Sequence, residues 1–244
     1  MSVPTELIQR LGNVKKVTVL TGAGVSAESG VPTFRDAQTG LWAKYSPEEL
    51  ATPRAFRRNP RLVWEWYEWR RKLVADAQPN AAHFALAEME NIFAQFQLIT
   101  QNVDGLHQRA GSRNVIELHG NIARTKCFEE GRVVSTWKET GDVPPKCPAC
   151  GGPLRPDVVW FEEAVPEEKI ALANEFSTSC DVFFSIGTSA MVYPAASLPL
   201  EALESGATLV EINTQSTPLT KKANFVLSGA AGLIVPELVN CLGD

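Results

Sequence analysis

Six short runs of buried-strand character punctuate the chain: Val17 to Leu20, Gln97 to Thr100, Val115 to Leu118, Val182 to Ile186, Leu209 to Ile212 and Phe225 to Leu227. None is long enough for a helix, and none alternates strictly between apolar and polar residues. Each therefore reads as a strand covered on both faces. Helical patterns lie between several of them, as in Ala81 to Phe93, Ala195 to Leu203 and Leu233 to Leu242. Strands of this kind alternating with helices can satisfy their backbones and bury their side chains only as a parallel sheet with helices on both sides.

The first strand flows into a glycine loop, and residues 22 to 35 read GAGVSAESGVPTFR. Gly22, Gly24 and Ala27 match the spacing G-x-G-x-x-G/A, which lets a backbone turn close to a pyrophosphate at a helix N-terminus. The expected fold is therefore a Rossmann-like, doubly wound α/β sheet. In a dehydrogenase of that fold, an acidic residue ~20 positions further on would hold the ribose. Here Pro32 interrupts, and Phe34-Arg35 leads into a loop containing Trp42.

Two stretches break the α/β rhythm. Residues 36–80 are helical and rich in aromatic side chains, with Ser46 placed to cap a helix before Pro47, and residues 121–175 are polar, rich in Gly and Pro, and hold three of the five cysteines. At about 150 residues per domain, 244 residues allow a main domain and an appended module. The expected division is a dinucleotide-binding domain of residues 1–35, 81–120 and 176–244, with 36–80 and 121–175 forming a smaller helical and zinc-ribbon-like module.

Taken in order, these residues resemble the sirtuin family of NAD-dependent protein deacylases. Its glycine motif GAGxSxxSGIPxFR is matched by Gly22, Ala23, Gly24, Ser26, Ser29, Gly30, Pro32, Phe34 and Arg35, with Val31 for Ile. Gln101-Asn102-Val103-Asp104-Gly105-Leu106-His107 is similar to QNIDGLH, Leu118-His119-Gly120 to LHG, Gly187-Thr188-Ser189 to GTS, and Ile212-Asn213 to the ribose-side IN. The resemblance implies NAD as cofactor. Its binding residues would be Gly22, Ala23, Gly24, Ser26, Phe34, Arg35, Trp42, Gln101, Asn102, Asp104, Gly187, Thr188, Ser189, Asn213, Thr214, Gln215 and Ala231.

There are three histidines, His83, His107 and His119. His119 ends a strand and precedes a glycine, the sheet edge where α/β proteins place functional side chains, whereas His83 lies in an ordinary helical pattern and His107 on the helix after the Asn102–Asp104 loop. By resemblance His119 is the general base and Asn102 acts beside it. In the family reaction an acyl-lysine oxygen attacks the nicotinamide ribose, and the products are nicotinamide, free lysine and O-acyl-ADP-ribose. Mono-ADP-ribosyl transfer is the alternative outcome of the same NAD cleavage.

The helix from Asn59 to Ala77 presents Leu62, Trp66, Trp69 and Leu73 on one apolar stripe, read as core, and Val63, Tyr67, Arg70 and Val74 on its neighbour. A guanidinium fork with a phenol suits a carboxylate. By resemblance, Tyr-x-x-Arg marks the class III branch that removes succinyl, malonyl and glutaryl groups, and the small Ala27 fits the same branch. Val159 and Phe161 belong to a segment that in the family pairs with the substrate peptide. In that segment Glu162 stands where the family has Gly, which restricts φ and adds charge.

A CxxC pair, a spacer and a second CxxC form a structural-zinc signature. Cys127, Cys147 and Cys150 fit it, but Glu130 occupies the second cysteine position. Zinc accepts a carboxylate, so the pattern allows a Cys3Glu tetrahedron and equally a module whose zinc is weakened or lost. Cys180 and Cys241 read as core residues. The charge balance of 23 basic to 28 acidic side chains, with no basic run, argues against a nucleic-acid or anionic-membrane partner. Sparse, odd-numbered cysteines and the absence of a signal-length or membrane-length apolar stretch point to a cytoplasmic protein, and the resemblance implies acyl-lysine proteins as its partners.

Overall fold

The computed structural model describes residues 3–32 and 45–243. Phe34, Arg35 and Trp42 lie outside the described residues. Strands β1 (Lys16–Thr21), β2 (Gln95–Thr100), β3 (Val115–Glu117), β6 (Val182–Ile186), β7 (Thr208–Asn213) and β8 (Phe225–Ser228) form one sheet in the order β3-β2-β1-β6-β7-β8. Every pairing in it is parallel. All six strands coincide, within a residue or two, with the runs read from the sequence.

Alternation within those runs explains why they read as continuously apolar. Val17, Val19, Val182, Phe184, Ile186, Val210 and Ile212 point to one face, where they pack with Leu7 and Leu11 of α1 (Thr5–Leu11), Leu86 and Met89 of α5 (Ala81–Ile92), and Val235 and Leu238 of α9 (Ala231–Gly243). Leu20, Ile99, Phe183 and Leu209 point to the other, against Ala173 of α7 (Glu167–Ser179) and Leu198 of α8 (Leu198–Glu204). Each such aliphatic or aromatic side chain contributes about 1.5–3 kcal/mol when removed from water, so the two-sided sheet is the stable arrangement.

The remaining elements pack around a second core. Helices α2 (Pro47–Leu50), α3 (Pro53–Arg58) and α4 (Pro60–Asp76) meet the antiparallel strands β4 (Gly120–Cys127) and β5 (Leu154–Val158). Phe56, Val63, Trp66, Tyr67, Ile122, Val158 and Trp160 are buried together there. On α4 the buried stripe is Val63, Trp66, Tyr67, Arg70 and Val74, whereas Leu62, Trp69 and Leu73 of the expected core stripe are only half-buried. The stripe containing Tyr67 and Arg70 is the one that faces Trp160. Cys180 is buried as expected, but Cys241 is exposed, because the buried stripe of α9 runs through Ile234, Val235, Leu238 and Val239.

The glycine loop after β1 is fastened to α5 through Asn80. Asn80 caps α5 by accepting from the Ala82 N–H at 3.0 Å, and its Nδ2 donates to the Val25 carbonyl at 2.8 Å and to Ser29 Oγ at 3.0 Å. Its own N–H donates to His83 Nδ1 at 3.2 Å, which closes a capping box. Loss of a cap of this kind costs about 1–2 kcal/mol. Asn80→Ala is accordingly expected to lower the unfolding free energy by about that amount, read as a lower urea midpoint with an unchanged slope.

Candidate active site

The strand order reverses direction between β1 and β6, which are neighbours although 165 residues separate Lys16 from Asp181. Ligands of open α/β sheets bind at such a switch point, outside the carboxyl ends of the strands. The glycine loop after β1 and the Gly187-Thr188 loop after β6 touch there: Gly24 N–H donates to the Gly187 carbonyl at 2.8 Å. A Cβ on Gly24 would stand 2.7 Å from that carbonyl oxygen, and one on Gly22 would stand 2.8 Å from Thr188 Cα. The two glycines are needed for this loop-to-loop approach, a structural demand additional to any ligand.

The other loops at that edge are tied to the same place. Gln101 Nε2 donates to Thr188 Oγ1 at 2.9 Å, and Asn213 Nδ2 to the Thr188 carbonyl at 2.8 Å. Gln215 N–H reaches Asn213 Oδ1 at 3.4 Å, and Thr214 and Gln215 are exposed beside it. Ser189 is half-buried on the Thr188 loop, and Ala23 is half-buried on the glycine loop. Ala231 opens α9, whose Gly232 N–H donates to Glu28 Oε2 of the glycine loop at 2.8 Å. Glu28 is a connection that helical and strand periodicity does not reveal.

Beneath the glycine loop lies a closed polar network. Ser26 Oγ donates to Asp104 Oδ2 at 2.7 Å and accepts from Asn102 Nδ2 at 3.1 Å, and that same Nδ2 reaches the Gly22 carbonyl at 3.1 Å. His83 Nδ1 accepts from Asn80, so its proton sits on Nε2, which faces Ser26 Oγ at 3.4 Å. Burial pushes His83 down to about 4 and His107, helped by the charge of His83, down to about 3. Both are neutral near pH 7. Burial also raises the Asp104 carboxyl, against hydrogen bonds from Leu106 N–H and Ser26. The roles of His83 and Asn80 are absent from the sequence reading, although an Asn three positions before the His is the capping signal that betrays them.

His119 follows β3 and is anchored on both sides. Its Nδ1 is 3.0 Å from the Gln101 carbonyl oxygen, which can only accept, so Nδ1 carries the proton and Nε2 is the basic nitrogen. Burial lowers its pKa from the ordinary histidine value, with the Gln101 carbonyl opposing. The next residue, Gly120, has φ 82°, and a Cβ there would lie 2.1 Å from the Asp157 carbonyl oxygen. Only glycine allows β5 to pair so close to the histidine.

That pairing carries the second half of the site. Val159 N–H donates to the His119 carbonyl at 2.9 Å, and the adjacent Trp160 Nε1 donates to Tyr67 Oη at 2.9 Å. Tyr67 and Arg70 are 1% and 4% exposed, and the Arg70 guanidinium lies 5.3 Å from the Trp66 ring. Burial pushes Tyr67 up to about 12, so its hydroxyl keeps its proton and can donate while accepting from Trp160. Phe161 is 41% exposed, Val159 half-buried, and Ala27 exposed on the glycine loop. Arg155 holds the segment from below, bonding Glu163 at 2.5 Å and the Val158 carbonyl at 2.6 Å. Glu162 adopts φ 72°, the left-handed conformation that a glycine would take without strain, and pairs with Arg54 at 3.3 Å.

Cys127, Glu130, Cys147 and Cys150 bring four potential ligand atoms within 4.8 Å of one another. Cys127 and Cys150 sulfurs are 3.4 Å apart, close to the roughly 3.8 Å separating two sulfurs on a tetrahedral zinc with Zn–S of about 2.3 Å. Donor chemistry and spacing both fit a structural zinc.

Three comparisons place this geometry among known proteins. The profile of the Sir2 family matches residues 22–194. An NAD-dependent protein deacylase of Aquifex aeolicus (strain VF5) is 56% identical over 210 residues, covering 86% of this chain and 87% of that protein. A solved Sir2 homologue–NAD complex superposes with a TM-score of 0.92 at 47% identity, covering 99% of this chain and 94% of the other. A mutant Sir2 homologue in complex with 2′-O-acetyl ADP-ribose gives 0.91 at 47% identity, with 99% and 97% covered. Among the described residues, no helix is long and apolar enough to cross a membrane.

Proposed function

The chain belongs to the Sir2 family and is an NAD-dependent protein deacylase, and from that premise we propose that it removes acyl groups ending in a carboxylate, namely succinyl, malonyl and glutaryl, as well as acetyl, from protein lysines. The products are nicotinamide, the free lysine and O-acyl-ADP-ribose. NAD, when bound, supplies an electrophilic ribose carbon and nicotinamide as leaving group.

The chain's own residues do the rest. Gly22, Ala23, Gly24 and Ser26, with Phe34, Arg35 and Trp42, hold the phosphates and cover the cofactor. Gln101, Asn102 and Asp104 orient the nicotinamide side. Gly187, Thr188, Ser189, Asn213, Thr214, Gln215 and Ala231 hold the adenosine side. His119 takes a proton from a ribose hydroxyl at Nε2, because Nδ1 is committed to Gln101. Val159 and Phe161 line the peptide path, and Ala27 leaves room for the longer acyl chain.

The observation that carries the acyl preference is the burial of Tyr67 and Arg70 one turn apart on α4, with the Tyr67 hydroxyl bonded to Trp160, next to the residue paired with His119. A charged fork and a protonated phenol, buried on one face of α4, suit a carboxylate and give an acetyl group nothing to bond. The test is mass-spectrometric deacylation of one peptide bearing acetyl, malonyl, succinyl or glutaryl lysine, with and without NAD. We expect NAD-dependent loss of the acidic groups at kcat/KM values at least those for acetyl. Removal of acetyl alone would sink the carboxylate reading, and ADP-ribose transferred to an arginine acceptor in place of deacylation would sink the deacylase assignment.

A further inference from the structure

The two halves of the cysteine module have the same backbone. Gly131 N–H donates to the Cys127 carbonyl at 3.0 Å, and Gly151 N–H to the Cys147 carbonyl at 2.9 Å. The two glycines have φ of 70° and 73°. Each turn therefore presents its fourth residue, Glu130 in one and Cys150 in the other, at an equivalent place. In both, the first ligand is buried and the fourth exposed. The turn at 127–131 thus presents an oxygen donor where its counterpart at 147–151 presents sulfur.

That difference leaves the charge of a zinc site at −2, as four thiolates would give, but it alters reach, because a glutamate side chain is longer and freer than a cysteine. One neighbour restrains it. Arg132 Nε donates to Glu130 Oε2 at 2.5 Å, and its Nη2 lies 4.0 Å from Cys147 Sγ. One guanidinium thus touches the odd carboxylate and a thiol of the opposite turn. Ligating groups commonly depend on such outer partners for orientation.

We propose that the metal centre of this chain is a Cys3Glu zinc site of which Arg132 is a working part: it holds one Glu130 oxygen, leaves the other for the ion, and offsets part of the site's net negative charge. This deepens the zinc assignment and is independent of the acyl preference. Arg132 is a positioning residue, acting through Glu130 and Cys147.

The test measures zinc in the full-length, zinc-loaded chain: stoichiometry by atomic emission, and affinity by competition with chelators of graded strength. Wild type is expected to hold one zinc per chain. Arg132→Met is expected to weaken zinc about 10–100-fold, the usual effect of losing an outer-shell partner. Glu130→Gln, which keeps the shape but is a poor ligand, is expected to weaken it at least as much, and Glu130→Cys to bind at least as tightly as wild type. Wild-type affinity in Glu130→Gln would overturn the carboxylate ligand, and wild-type affinity in Arg132→Met would overturn the role of the arginine. A wild-type chain purified without stoichiometric zinc would instead overturn the zinc assignment itself.

Discussion

His119→Ala is expected to lower kcat/KM for deacylation by about 10²–10⁴, the range over which a positioned general base contributes, while binding of NAD is largely retained. The imidazole is prepared for this work by two independent features. Its Nδ1 proton is committed to the Gln101 carbonyl, so the free lone pair is on Nε2. Burial lowers its pKa, so the neutral form dominates near pH 7. Turnover by steady-state assay with saturating NAD checks the prediction, and wild-type kcat/KM in the variant would remove His119 from the chemistry.

The same features set the pH dependence. A base must be unprotonated to act, so activity rises with pH through the folded-state pKa of His119. Since burial moves that value below 6.5, the acid limb of kcat/KM falls below pH 6.5. Stability changes in the same direction. In the unfolded chain His83 and His107 take up protons from about pH 6.5 downward, whereas in the folded chain they wait until about 4 and 3. The unfolded state thus binds more protons, and folding weakens as pH falls below 6.5. Circular dichroism recorded across the profile separates the two effects, because protonation of His119 leaves the spectrum unchanged.

The parts of this molecule legible in its sequence are those governed by local pattern. The four inner strands β1, β2, β6 and β7 are buried on both faces and read as short unbroken runs, the edge strands β3 and β8 are only partly covered, and the helices between them follow the 3.6-residue period. Pattern failed where a distant partner decides. On α4 hydrophobicity favoured Leu62, Trp69 and Leu73, but the stripe holding Tyr67 and Arg70 is the buried one, because Trp160, 93 residues further along the chain, supplies the bond that lets a phenol be buried. His83 read as an ordinary helical residue, although its ring closes a capping box and faces Ser26. Cys241 reads as a core residue but is exposed, because the neighbouring Leu242 is the one packed against the core. The Glu28 contact with Gly232 spans 204 residues, beyond any local signal.

Arg70→Met is the decisive substitution for substrate choice, and the structure explains why it is cleaner than changing Tyr67. The Tyr67 oxygen is the acceptor for Trp160 Nε1 in the module core. Tyr67→Phe would strand that N–H out of reach of water, at a cost of about 1–3 kcal/mol in stability, and a drop in activity could then reflect a loosened core. Arg70→Met keeps the Trp160–Tyr67 bond and the apolar stem of the side chain, and it removes the fork and its charge above the Trp66 ring. A charged hydrogen bond contributes about 1.5–3 kcal/mol, so kcat/KM for a succinyl peptide is expected to fall by roughly one to two decades, mainly through KM, with the acetyl peptide unaffected. Arg70→Lys should recover only part of the loss, since an ammonium restores the charge but not the bidentate geometry. If the acetyl and succinyl values fall together, the guanidinium supports the fold of α4, and the acyl preference must come from elsewhere.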